Sequence, residues 1–132
     1  MRGEEIEYLR RRSREFMDTA QVQIERGYYG LASLSLEQSL QLLLRAKLLE
    51  CAGDYPRVHS VRRLLRLLGE VVGSEAAEIT ASILREYPLE LALLEDAYIT
   101  SRYVPKEFTE EEVMRLAEAV REVMRRVERI VC

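Results

Sequence analysis

The chain has 132 residues, of which 48% are hydrophobic and 33% are charged, and its formal net charge is -3 at pH 7. This length suffices to bury a core without crosslinks, and it favours a single domain over residues 1–132. No apolar run approaches the roughly 20 residues that cross a bilayer, and the charged amino-terminal segment lacks a signal-peptide core. We therefore expect a cytoplasmic protein without membrane contact, and the net acidity argues against binding of duplex DNA.

The basic residues are unevenly distributed and are nearly all arginine. Residues 1–66 carry a net charge of +3 and residues 67–132 a net charge of -6. Such an asymmetry suits either an anion site in the first half or head-to-tail self-association. Arginine supplies 18 of the 20 basic side chains and asparagine is absent. This bias is compatible with a thermophilic source and also with a biased genomic base composition.

Apolar residues recur at helical spacing along the chain, and no segment alternates like a β-strand. The pattern predicts an all-α fold, an antiparallel up-and-down bundle of five or six helices joined by short loops. The first helices are predicted over residues 4–26 and 28–52, each followed by a glycine that favours a left-handed helix stop. Further helices are predicted over 61–72 and 75–86. Pro88 then interrupts the pattern, so the next segment is either one kinked helix or two.

The second predicted helix is apolar around so much of its circumference that we expect it to lie between other helices. Its small residues Ala32, Ser35 and Ser39 share one face. They would let a neighbouring helix approach closely, either within the core or at a homodimer interface.

The last helix has the clearest start signal in the chain. Thr109 and Glu112 have the spacing of a capping box, and Phe108 and Val113 have that of the accompanying hydrophobic staple. The outer face carries acids and bases at helical spacing, which predicts two ion pairs: Glu111 with Arg115, and Glu122 with Arg126.

The two cysteines, Cys51 and Cys132, are far apart in sequence and lack a second pair of metal ligands. They indicate neither a zinc site nor a disulfide framework. We expect a buried Cys51 and an unpaired Cys132; the alternative, a disulfide between them, stays open only if the last helix folds back beside Cys51.

His59 is the only histidine, and it stands just before a predicted helix start. A histidine in that position is more often a structural hydrogen-bonding residue than a catalyst. The chain contains no recognisable nucleophile motif, no paired metal ligands and no phosphate-binding glycine loop. We therefore expect no catalytic residue, no metal site and no cofactor.

A run rich in arginine surrounds this histidine. Arg57, Arg62, Arg63 and Arg66 fall within ten residues that contain no acid. Arginine suits bidentate contacts to phosphate, and Ser60, as the N-cap of the next helix, would add the partial positive charge of a helix start. The cluster is either a phosphate or nucleotide site or a solvated helix face.

Arg102 and Tyr103, which precede a proline before the last helix, form a third candidate. They either complete a ligand site with the arginine cluster or anchor a turn. In the second case Tyr103 would pack and Arg102 would pair with an acid such as Glu95 or Asp96.

Three segments, taken in order, resemble the HEPN domain family of small all-α prokaryotic domains. The second helix, ASLSLEQSLQLLLRAKLL, has the family's small residue, its Glu37-Gln38 pair and its Arg45-Ala46 pair. The segment HSVRRLL from His59 resembles the family's His-polar-apolar-x-x-Leu-Leu, and YITSRYVP from Tyr98 resembles its RY segment. The match rests on their order and spacing over most of the chain, since each motif is weak alone.

The resemblance implies a helical bundle with one of two activities. Many relatives are ribonucleases in which four to six residues separate an arginine from a following histidine, but residues 52–54, where that arginine would stand before His59, are Ala, Gly and Asp. No histidine follows Arg102, and position 41, often acidic in the family, is Gln41. The chain therefore resembles the branch without the nuclease motif, which has been proposed to bind nucleotides or to pair with a nucleotidyltransferase subunit.

The resemblance leads us to expect a non-catalytic module that binds a nucleotide, a nucleotidyltransferase partner or both, in a toxin–antitoxin-like or stress-response pair. Family members commonly dimerise, so a homodimer is expected. Two alternatives stay open: a divergent metal-independent ribonuclease that uses His59, and a purely structural homodimeric adaptor. The candidate ligand-binding residues are Arg57, His59, Arg62, Arg63, Arg102 and Tyr103.

Overall fold

The computed structural model describes residues 2–103 and 106–132, with side chains for residues 2–100 and 106–132. The described residues form six helices and no strand: α1 (Arg2–Glu25), α2 (Tyr29–Ala52), α3 (Val61–Val72), α4 (Ser74–Glu86), α5 (Pro88–Tyr103) and α6 (Glu110–Glu128). The predicted all-α helical bundle is confirmed. No helix in these ranges is both long and apolar enough to span a membrane.

Glycines with positive φ end the first two helices where the sequence predicts a stop. Gly27 has a φ of 79° and Gly53 a φ of 84°, a region that glycine enters without steric cost. The Gly53 N–H also donates to the Leu49 carbonyl at 3.0 Å. Pro88 begins α5 instead of kinking a longer helix, because the first turn has no helical bond for its missing N–H to lose.

The α2 helix is central, as its apolar circumference predicts. It packs against α1, α3, α5 and α6. Four leucines along it, Leu36, Leu40, Leu44 and Leu48, have no exposed surface, and each buried leucine contributes about 1.5–3 kcal/mol of hydrophobic free energy. Most of the polar side chains on α2 are buried as a consequence.

The small residues of α2 serve the core of the bundle. Ser39 Oγ donates to the Ser13 carbonyl at 2.8 Å, and Ser13 Oγ donates to the Ser39 carbonyl at 2.7 Å. Ser35 Oγ donates to Gln23 Oε1 at 2.7 Å. These bonds join α2 to α1 within one chain, so this face is covered by α1.

The capping box at the start of α6 is confirmed. Thr109 Oγ1 accepts from the Glu112 N–H at 3.1 Å, and the Glu112 carboxylate accepts from the Thr109 N–H at 2.9 Å. Phe108 and Val113, the predicted staple residues, are both buried. Local sequence therefore determines where this helix begins.

One of the two ion pairs predicted on α6 is confirmed, and the other is wrong. Arg126 bonds to Glu122 at 2.7 Å. Arg115 contacts Glu90 of α5 at 3.0 Å instead of pairing with Glu111. The Glu90 side chain is only 15% exposed, and a less solvated carboxylate attracts a cation more strongly.

The expectation of a buried Cys51 and an unpaired Cys132 is also wrong: Cys51 is half-buried, and the alternative of a disulfide is the one observed. The α6 helix packs along α2 and leads the chain back to Cys51, so that 5.2 Å separates the two Cα atoms. The two cysteines form a disulfide across 81 residues of sequence. Periodicity along single helices does not predict this bond, because it depends on where α6 packs.

Candidate functional site

Three polar side chains follow one side of α2 at intervals of about one helical turn. Glu37, Gln41 and Arg45 lie four residues apart, so they project from the same side of the helix. Glu37 has no exposed surface and Gln41 is 2% exposed, while Arg45 is half-buried. A buried carboxylate in a largely apolar helix is costly unless its surroundings compensate.

Two amides hold the Glu37 carboxylate. Its Oε1 accepts from Gln38 Nε2 and its Oε2 accepts from Gln41 Nε2, both at 2.7 Å. Burial raises the pKa of Glu37 to about 7, although both amide bonds and the nearby Arg45 oppose this shift. At neutral pH the carboxyl group therefore populates both protonation states, and it can donate or accept a hydrogen bond.

The loop before α3 is attached to this side of α2 and carries an aromatic stack. Gln41 Nε2 also donates to the His59 carbonyl at 3.2 Å. The His59 ring stacks on the Tyr98 ring of α5, with 4.7 Å between the centroids and 21° between the planes. His59 is exposed, so the stack offers a surface on which another planar group can pack.

An ion pair between α3 and α5 completes this site. Ser60 caps α3, and its hydroxyl accepts from the Arg63 N–H at 3.2 Å. Arg62, in the first turn, donates through Nε to the Glu95 carboxylate of α5. The charge of Glu95 adds to the effect of burial in raising the pKa of Glu37. We refer to the residues gathered here as the α2–α3–α5 cluster: Glu37, Gln41, His59, Arg62, Glu95 and Tyr98.

Arg45, at the edge of this cluster, is incompletely satisfied. Its guanidinium carbon lies 5.7 Å from the centroid of the Tyr55 ring, within the range of a cation–π contact. Its Nε atom is buried and has no hydrogen-bond partner among the described residues. Buried donors without a partner are rare in folded proteins. An acceptor atom of a bound molecule would therefore gain a hydrogen bond from Arg45 Nε.

The predicted arginine cluster is divided between two sides of α3. His59 and Arg62 belong to the α2–α3–α5 cluster, whereas Arg57 is exposed in the preceding loop. Arg63 and Arg66 line a separate groove. This groove has a volume of about 480 Å³ and is lined by Pro56, Val58, Arg63, Arg66, Leu67 and Glu70.

Arg102 and Tyr103 lie in the last turn of α5 instead of in a loop, but their side chains fall outside the described residues. Their part in a ligand site therefore stays a prediction. Glu95, one of the acids considered as a partner for Arg102, is bonded to Arg62.

Four members of the cluster are absent from the candidate site of the sequence analysis: Glu37, Gln41, Glu95 and Tyr98. A usable signal exists for Glu37, because polar residues at positions 37, 41 and 45 recur once per turn among leucines. No such signal exists for Glu95, whose partner Arg62 is 33 residues away. Its role depends on how α5 packs against α3.

The cluster offers hydrogen bonds, an aromatic surface and the N–H groups of Arg62 that Glu95 does not occupy. Within the described ranges, neither Glu37 nor Glu95 belongs to a group of three or more metal-ligating side chains at ligand spacing. The combination suits a molecule that is planar in one part and anionic in another.

Comparison with known proteins agrees with this architecture. The crystal structure of an archaeal HEPN homologue matches the chain with a TM-score of 0.66 and 21% sequence identity, over 93% of this chain and 94% of that chain. At this identity the likeness shows the fold alone.

The family relationship is established by sequence. No curated protein matches the chain, but the family model of the HEPN domain matches residues 6–130. Since that match covers nearly all of the 132 residues, the protein belongs to the HEPN domain family.

Proposed function

We propose that this protein is a non-catalytic HEPN module that binds a nucleotide at the α2–α3–α5 cluster. The observation that carries the proposal is the exposed His59 ring, stacked on Tyr98 and held in place through its carbonyl by Gln41. Aromatic side chains stack on nucleobases of any sequence, and such contacts contribute about 1–3 kcal/mol per base. The buried hydrogen bond from Gln41 to Glu37 orients the Gln41 amide, which in turn holds the loop that carries His59.

Positive charge beside the stack would receive the phosphates. Arg57 is exposed two residues before His59, and Arg62 follows it by three residues. Ser60 caps α3, so the partial positive charge of that helix start belongs to the same loop. Glu95 occupies the Nε–H of Arg62, but the guanidinium has further N–H groups for a phosphate.

The same residues argue against acid–base cleavage of RNA. His59 is the only histidine, and residues 52–54 supply no arginine at the spacing that nuclease members of the family use. Glu37 titrates near neutrality, but its carboxyl group is buried and bonded to Gln38 and Gln41. General acid–base catalysis needs a titrating group within reach of the reacting atoms.

Thermal unfolding with ATP, GTP and a short single-stranded RNA at millimolar concentration tests this proposal. A ligand present at ten times its Kd adds about 1.4 kcal/mol to the unfolding free energy, which raises Tm by about 5 °C. We expect such a shift with at least one ligand, and we expect His59→Ala and Arg57→Ala to abolish it. Arg85→Ala, which removes an exposed arginine of α4, is the matched control and should keep the shift.

Three results would count against the proposal. If none of the three ligands moves Tm, nucleotide binding is wrong. If Arg85→Ala loses as much as Arg57→Ala, the shift reports general attraction of anions. RNA cleavage by the wild type that disappears in His59→Ala would favour the ribonuclease alternative.

The remaining expectations concern partners. HEPN domains commonly dimerise, and a homodimer, a nucleotidyltransferase subunit and a toxin–antitoxin-like or stress-response pairing stay predictions from the family resemblance. Co-purification from the native cell would test all three. Recovery of the chain alone, as a monomer by light scattering, would contradict them.

A further inference from the structure

The end of α2 and the end of the described chain bring together two sulfurs and a carboxylate, none of which belongs to the α2–α3–α5 cluster. Cys51, Cys132 and Glu50 each contribute one ligand atom, and these atoms all lie within 4.8 Å of one another. Glu50 Oε1 is 3.8 Å from Cys132 Sγ. Cys132 and Glu50 are exposed and Cys51 is half-buried, so the group is accessible from solvent.

The chain that carries Cys132 is anchored independently of the disulfide. Lys47 is 4% exposed, and its ammonium group donates to the Ile130 carbonyl at 2.6 Å and to the Glu128 carbonyl at 3.5 Å. The Ile130 side chain is 2% exposed in the core. Two residues span at most about 7 Å, so Cys132 stays near Cys51 when the S–S bond is broken.

The flanking charges are compatible with a bound dication. Lys47 Nζ lies 3.8 Å from Glu50 Oε1, and an Arg10 nitrogen lies 3.3 Å from Glu50 Oε2. Uptake of a dication by two thiols releases two protons, so the net charge of the site is the same before and after binding. The two basic side chains also favour the thiolate forms that a metal requires.

We propose that Cys51, Cys132 and Glu50 form a redox-gated site for a thiophilic divalent cation such as Zn²⁺. A dithiol reductant supplies two electrons and two protons to the S–S bond and is itself oxidised to a disulfide, leaving two cysteine thiols. The cation then displaces both thiol protons and binds two thiolates and the Glu50 carboxylate, with water in the fourth position. A small-molecule disulfide oxidant accepts two electrons from the two sulfurs, is itself reduced to two thiols or thiolates, and re-forms the S–S bond with release of the cation, so that two of the three protein ligands are removed and the site closes.

The required movement is small. Zinc–sulfur distances of about 2.3 Å and zinc–oxygen distances of about 2.1 Å place tetrahedral ligand atoms roughly 3.5–4 Å apart. The two sulfurs must therefore separate by roughly 1.5–2 Å from their bonded distance, whereas the oxygen already lies 3.8 Å from Cys132 Sγ. Side-chain rotation achieves this without moving α2 or the Lys47 anchor.

The test uses the full chain in its oxidised form and in its dithiol-reduced form, with the reductant removed under anaerobic conditions. Co²⁺ is the probe, because thiolate-to-cobalt charge-transfer absorption reports sulfur ligation directly. We expect the reduced protein to bind a single equivalent with this absorption, and Zn²⁺ to displace it. The oxidised protein should show no such band, and neither should reduced Cys132→Ser at equal concentration.

A matched pair of variants tests the carboxylate. Glu50 and Glu128 both pair with Arg10, at 3.3 Å and 2.6 Å, and their side chains are 40% and 47% exposed. Glu50→Gln should weaken Co²⁺ binding by at least about tenfold, and Glu128→Gln should leave it unchanged. Both retain the disulfide, so the Tm of their oxidised forms shows whether they are folded. Equal binding by reduced and oxidised wild type, or equal affinity of the two glutamine variants, would overturn the proposed site.

Discussion

The two sides of α2 bury polar groups in opposite ways. Towards α1, Ser13 and Ser39 exchange hydrogen bonds of 2.7 Å and 2.8 Å between hydroxyl and carbonyl groups. Towards α3 and α5, Glu37 is fully buried with a pKa of about 7, and the Nε of Arg45 has no partner among the described residues. The polar groups facing α1 are neutral and hydrogen-bonded to one another. Those facing α3 and α5 are ionisable and include a donor without a partner among the described residues.

This difference separates packing from function within a single helix. A neutral buried hydrogen bond adds about 0.5–1.5 kcal/mol to stability, so the serines facing α1 need no role beyond the fold. A carboxyl group whose pKa is raised by burial destabilises the folded state whenever it is ionised. Perturbed ionisable groups of this kind cluster at functional sites, which is why the side facing α3 and α5 is the better candidate.

Replacing Glu37 should have the largest effect. Its pKa is about 7 in the folded protein against an ordinary value of 4.5, so the folded state binds the proton more tightly than the unfolded state. Its favourable contribution is therefore complete below pH 4.5 and is lost as the pH rises through 7. Relative to Glu37→Gln, the wild type should lose about 3 kcal/mol of unfolding free energy between pH 4.5 and about pH 8. Urea denaturation of both proteins at both pH values measures this difference.

The control for this experiment is Glu118→Gln, which removes an exposed acid of α6. It should change stability by less than about 0.5 kcal/mol at either pH. If the difference between wild type and Glu37→Gln is the same at both pH values, Glu37 does not titrate between them. The contrast between the two sides of α2 would then be one of hydrogen bonding alone.

Most of the fold follows from local signals that single helices carry. The stops at Gly27 and Gly53 and the capping box at Thr109 need only neighbouring residues, and the structure confirms all three. The central position of α2 follows from its apolar circumference in the same way. Such features are readable in one sequence because they depend on spacing and backbone conformation.

The site is harder to predict from the sequence, because its contacts join residues that are distant along the chain. Arg62 pairs with Glu95, which lies 33 residues later in the sequence, and Cys51 bonds to Cys132, 81 residues later. A run of basic residues does not reveal that α3 directs Arg62 towards α5 and Arg63 towards a separate groove. Helix packing decides these partners, and helical periodicity constrains only which face is buried.

The hydrogen bonds between α2 and α1 are tested by removing the hydroxyls of Ser13 and Ser39. Ser13→Ala and Ser39→Ala should each cost about 1 kcal/mol, and the double variant should show a coupling of about 0.5–1 kcal/mol because the residues share a contact. The effect should be independent of pH, unlike that of Glu37→Gln. Ser82→Ala is the control, because among the described residues that hydroxyl bonds only within its own helix, to the Ile79 carbonyl at 2.8 Å. Additive serine variants would mean that the two bonds form separately.

The smallest effect is expected at Glu95, and it links the ion pair to the buried acid. The charge of Glu95 adds to burial in raising the pKa of Glu37, so Glu95→Gln should lower that pKa. The loss of stability should stay below about 1 kcal/mol, because the Arg62 side chain of the pair is 40% exposed. The measurement is the difference in unfolding free energy between Glu95→Gln and the double variant Glu37→Gln/Glu95→Gln, followed as a function of pH. The midpoint of that curve reports the pKa of Glu37 without Glu95. Asp96→Asn, at the neighbouring exposed position of α5, should leave the midpoint unchanged; an equal shift would mean that general charge, and not the position of Glu95, controls Glu37.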